Sequence, residues 1–198
     1  MREELQHDLR AEGQMSYVTL ARGLVLGVVG GLVGTIVMDL VLIGTLSAAG
    51  LPAVISFSTI GDTAAGFFAL MGIDMAGGFP LGAAIHYLLG LVLGGAFGAA
   101  VSRVDALRPD TIKKGVVLAV VYIEVLSQPI LATSPIILKM TASETLQWFG
   151  VSAAMHLIWG VVLGAVVSYG LRLATAVAVH PATMQMSDCS TFQLHSKG

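Results

Sequence analysis

Charge is scarce in this chain. Aspartate, glutamate, lysine and arginine make up 11% of its 198 residues, less than half the ~25% usual in soluble domains. Ten basic and twelve acidic residues leave a net charge of −2, so there is no basic footprint and nucleic-acid binding is excluded. The single cysteine, Cys189, cannot close an internal disulfide, which excludes a disulfide scaffold. No CxxC or CxxCH occurs, so neither a zinc ribbon nor covalently attached haem is indicated. A GxxxxGK[ST] loop, a GxGxxG turn after a strand, a GxSxG elbow and an HExxH pair are all missing as well. The polar stretches are too short for a separate catalytic domain, so a stand-alone enzyme is not expected.

What the chain has instead is apolar residues, at 56%, and 24 glycines. They fall in runs long enough to cross hydrocarbon: Leu24 to Leu46, Pro80 to Val101, Gly115 to Ile137 and Phe149 to Leu173. Each meets the ~20 residues that a ~30 Å apolar core requires. Backbone groups cannot stay unpaired in lipid, so these runs must be helices. They do not alternate as barrel strands do. A fifth apolar stretch, Ala64 to Ile73, is too short to span and is bracketed by Asp62 and Asp74. It reads as an interfacial or re-entrant helix between spans one and two.

Nine of the ten basic residues fall on one side of these spans, and Lys139 alone falls on the other. The positive-inside rule then places both termini in the cytoplasm of a multi-pass protein of the inner membrane. The expected organisation is a cytoplasmic N-terminal segment (1–21), a four-helix transmembrane domain (22–173) and a flexible cytoplasmic tail (174–198) that carries Cys189. Span one is too long for a signal-peptide core and is read as an uncleaved anchor.

The chain also resembles itself. Span two contains GAAIHYLLGLVLG from Gly82 to Gly94, and span four contains SAAMHLIWGVVLG from Ser152 to Gly164. A histidine followed by glycine at +4 and +8 falls at the same place in both. The expected fold is therefore all-α, with four transmembrane helices arranged as two parallel-repeat hairpins. Gly82, Gly90, Gly94 and Gly98 form a small-residue ladder with His86, and Gly160 and Gly164 form one with His156. Bare helix faces let backbones approach, so spans two and four are expected to meet along these ladders. Gly23, Gly27, Gly30, Gly31 and Gly34 give span one its own set, suited to packing inside the bundle or against a second copy.

One ionisable residue sits in each span: Asp39, His86, Glu124 and His156. Counted from Arg22, Arg103 and Arg172, the first, second and fourth lie roughly 24–26 Å from their basic anchors, close to one plane. Glu124 lies ten residues from Lys114, hence ~15 Å in. Gln128 is one turn above it, and Pro129 frees a carbonyl nearby. Intramembrane charge is costly, so such residues pair or face the bundle interior.

Three readings fit this layer. It is a hydrogen-bonded clasp between helices, or His86 and His156 are the two axial ligands of a b-type haem. In the third reading His86, His156, Asp39 and Glu124 hold a metal ion or relay protons.

The GTIVMD segment of span one and the HxxxGxxxG pattern of spans two and four resemble a loose group of uncharacterised bacterial inner-membrane proteins. That resemblance implies four helices and a prokaryotic cytoplasmic membrane, with no transferable chemistry. The expected role is an accessory or assembly subunit in the lipid bilayer, as a homo-oligomer or within a larger membrane complex. A haem-binding electron-transfer subunit and a proton or metal permeation unit are the alternatives.

Overall fold

A computed structural model describes the backbone of residues 2–194 and the side chains of residues 20–173. Among the described residues every regular element is helical. The order is α1 (Arg2–Ala48), α2 (Ile55–Leu70), α3 (Gly78–Arg103), a single 3-10 turn (Asp105–Leu107), α4 (Ile112–Leu131), α5 (Thr133–Ile137) and α6 (Ala142–Leu194). Four apolar helical segments are long enough to cross a membrane: Leu20–Ala48 in α1, Gly78–Arg103 in α3, Ile112–Ile137 through α4 and α5, and Ala142–Leu173 in α6. α1 begins well before its span and α6 runs beyond its own, so the segment read as a tail is helical in backbone as far as Leu194. Residues 195–198 lie outside the described residues.

The element ends follow from local chemistry. α1 stops at Gly50, whose φ of +71° is open to glycine at little cost. The Leu51 amide then donates back to the Leu46 carbonyl at 2.9 Å, closing the helix end. α2 ends the same way at Gly72 (φ +79°), with Ile73 donating to Phe68 at 3.0 Å. The start of α3 is fixed by Asp62 of α2, whose Oδ1 accepts from the Gly78 amide at 2.7 Å. A carboxylate there also complements the helix dipole. α4 is capped by Thr111, whose hydroxyl accepts from the Lys114 amide at 3.1 Å.

α6 opens on a capping box. The Thr141 amide donates to Glu144 Oε2 at 2.7 Å, and the Glu144 amide donates to Thr141 Oγ1 at 3.3 Å. Pro129 lies one turn from the end of α4, and the chain turns at Ala132 into the short α5.

α1 is the organising helix. It packs against both α3 and α6, while α4 packs on α6 and α2 on α3. α3 and α6 share no substantial contact, and α3 and α4 barely touch. The expected meeting of spans two and four is therefore not formed. The ladder of α3 is used elsewhere: Gly90, Gly94 and Gly98 lie against Thr35, Gly31, Gly27 and Gly23 of α1, and Gly82 lies against Phe57 and Gly61 of α2. The ladder of α6 faces α4, with Gly160 on Val120 and Gly164 on Val116.

The physical reason is helical drift. Four residues advance an α-helix roughly 40° past a full turn. An i+4 ladder therefore winds around the cylinder and meets more than one neighbour. A second reason is complementarity, since α1 offers a matching row of bare positions antiparallel to that of α3. The other glycines of α1, Gly30 and Gly34, face Leu163 and Trp159 of α6. The core that results is built from Met38, Phe97, Val101, Ala119, Ile123, Trp159, Leu163 and Val167.

Candidate functional site

The sparse α3–α4 contact leaves a cavity of about 500 Å³ in the half of the bundle that carries α2 and α5. All six α-helices contribute to its lining. At one end α3 and α4 are bridged by Tyr122, whose hydroxyl donates to the Leu93 carbonyl at 2.9 Å. The Tyr122 ring also leans on Phe97, with centroids 5.3 Å apart. At the other end α2 meets α5 through Thr63, which donates to Ser134 Oγ at 3.0 Å. Ile137 covers Gly66 beside that contact.

His86 and His156 both line this cavity, one on α3 and one on α6. His86 Nε2 lies 3.0 Å from Asp39 Oδ1 on α1. Asp39 is 3% exposed, so the pair joins α1 to α3 away from water. A carboxylate on one ring nitrogen fixes the tautomer and orientation of an imidazole. The edge of Phe57 meets the His86 ring at a centroid distance of 5.5 Å, so α2 holds it from another side. Two polar atoms here are buried without a hydrogen-bond partner: Asp39 Oδ2 and His156 Nδ1. Buried polar atoms are seldom left unpaired, and each one needs an explanation.

The structure does not bring the four ionisable residues into one set. Asp39 and His86 touch, and His156 shares their cavity without a bond to either. Glu124 is not on the lining; its Oε2 accepts from Gln128 Nε2 at 3.3 Å on the same helix. Among the described residues no group of three or more His, Cys, Asp or Glu could hold a metal ion. The expected ligand set of His86, His156, Asp39 and Glu124 is thus not assembled, because Glu124 lies off the cavity lining and bonds Gln128 on its own helix. The cavity face of α4 is carried by Ile123, Ser127 and Ile130 instead.

Sequence reasoning passed over the tryptophans. The chain has two, and both Trp148 and Trp159 line the cavity. Trp159 Nε1 donates to the Gly31 carbonyl and to Thr35 Oγ1, each at 3.1 Å, and so ties α6 to α1. The signal was present. Trp148, Ser152, Met155 and Trp159 recur at helical spacing, about a quarter-turn or more from Gly160 and Gly164, with His156 between the two faces.

Comparison with protein families, curated proteins and solved structures gives no match. The chemistry of the site therefore rests on its own geometry. It is a partly open, largely apolar space between helices long enough to cross a membrane, with two imidazoles and a few hydroxyls on its walls.

Proposed function

We propose that this protein binds a small lipid-soluble molecule in the cavity between α3 and α4, as an accessory membrane subunit rather than an enzyme. One observation carries the reading: a ~500 Å³ cavity bounded by apolar side chains and a few polar groups, between two spans that do not close on each other. Small-ligand sites typically occupy ~300–1,000 Å³ with such a lining. A ligand of this kind reaches the site from the bilayer.

The topology that goes with this reading follows from charge. Both termini lie in the cytoplasm of a bacterial inner membrane, and α2 lies at the outer interface over the cavity. The α1–α3 and α4–α6 pairs are then two repeats entering the membrane in the same sense. Assembly into a homo-oligomer or a larger complex belongs to the same proposal.

The two tryptophans supply the test. Protein in lipid nanodiscs is titrated with a medium-chain alcohol carrying bromine, and intrinsic emission is followed. Saturable quenching, lost in Ser152→Phe, is the expected result. Quenching that rises without saturation and equally in both proteins would defeat the proposal.

Haem held by His86 and His156 is the second reading, favoured by the shared cavity. Asp39 holds His86 Nε2, so ligation there must break a buried pair. A Soret band that disappears in His156→Ala would make haem the occupant.

A further inference from the structure

We infer that the occupant of this cavity is an uncharged, flat oxygenated ring on an apolar tail: a quinone or quinol. The inference rests on the cavity being a ligand site, and narrows which ligand.

Charge is the first argument. Among the described residues no lysine, arginine, aspartate or glutamate lines the cavity. Asp39 stands behind His86, off the lining, and its bond occupies one nitrogen of that imidazole. A fatty-acid or phospholipid head would enter with no cation to meet it, and burying an unpaired charge is strongly unfavourable.

Polarity is the second argument. His86 and His156 stand on different helices, so polar atoms meet a ligand from two walls. A neutral imidazole offers one donor and one acceptor. His86 spends Nε2 on Asp39, while the His156 ring lines the cavity and makes no hydrogen bond within the described protein. A ring bearing two carbonyl or hydroxyl oxygens can satisfy imidazoles on two walls at once. A simple alcohol reaches one.

Shape is the third. Trp148, Trp159, Phe67 and Phe68 contribute aromatic rings to the same space. Aromatic faces and edges suit a flat π-system, which gains from offset or edge contact. Above the Tyr122 bridge α3 and α4 stand apart, which leaves an exit for a tail into the acyl region.

The experiment compares three ligands of equal chain length against the bromine-labelled alcohol: decyl-ubiquinone, decanol and decanoate. Decyl-ubiquinone is expected to displace the probe at roughly tenfold lower concentration than decanol, the worth of one added hydrogen bond to a buried group. Decanoate is expected to be the weakest. His156→Phe should erase the quinone's advantage, and His156→Gln, which keeps a donor and an acceptor, should restore part of it.

Equal displacement by all three ligands would overturn the quinone while leaving the cavity as a lipid site. No saturable probe binding at all would overturn both. Should His156→Phe fail to fold, Ser127→Ala and His156→Gln still compare quinone with decanol. An unchanged ratio in both variants also counts against the assignment.

Discussion

α3 has two very different neighbours. Towards α1 it presents Gly90, Gly94 and Gly98, and the two backbones meet with no room for a side chain. Towards α4 it presents Ile85, His86, Leu89 and Leu93, and a cavity intervenes. One helix thus carries a close backbone contact on one side and a sparse contact on the other. The difference teaches where stability resides and, on the proposed reading, where a ligand binds. Bare faces give dispersion contact that lipid cannot match, so they hold the fold. The proposed ligand would bind on the loose side while the tight side fixes α3 in place.

The contrast can be broken most severely at Gly94. Its added side chain would meet the Gly27 carbonyl and the Gly31 backbone, which have no freedom to rotate away. Gly94→Leu is expected to destabilise by more than about 3 kcal/mol, beyond ordinary overpacking. Loss of monodisperse protein in detergent, beside an unaffected Leu88→Ala control at the exposed face, is the measurement.

Asp39 comes next. Asp39→Leu leaves His86 buried without its partner, at an expected cost of about 1–3 kcal/mol. Asp39→Asn, which can still bond the imidazole, should recover most of it in the same thermal assay.

The smallest effect on stability is expected on the loose side. Ser152→Phe also turns a small residue into a large one, but it points into empty space. Its stability should stay within about 1 kcal/mol of the parent, while probe binding disappears. A loss comparable to that of Gly94→Leu would mean the cavity is not there to be filled.

Much of the fold was legible in the sequence. Run length and the absence of alternation gave four spanning helices, and the short run bracketed by Asp62 and Asp74 is seen as part of α2. Equal depth below the basic anchors anticipated that Asp39 and His86 could meet, and they do. Partner choice was not legible. A glycine ladder states that some backbone comes close, and not which one. The winding of an i+4 row around its helix sent Gly82 and Gly90 to different neighbours.

The cavity was hidden for a related reason. It is made by what fails to touch, and no pattern in α3 or α4 alone encodes that. Glu124 was kept in the candidate ligand set because its rotation about the helix was not weighed alongside its depth. The face of α4 towards the cavity is marked by Ser127, one residue before the exposed Gln128 that occupies Glu124.

The account turns on α3 being locked to α1 and standing clear of α4 and α6. An experimental density map of the protein in lipid nanodiscs tests this most directly. The account predicts Gly94 seated on Gly27, with non-protein density between His86 and His156. A map with α3 seated on α6 at Gly90 and Gly160, or closed upon α4 with side chains filling the gap, would contradict it.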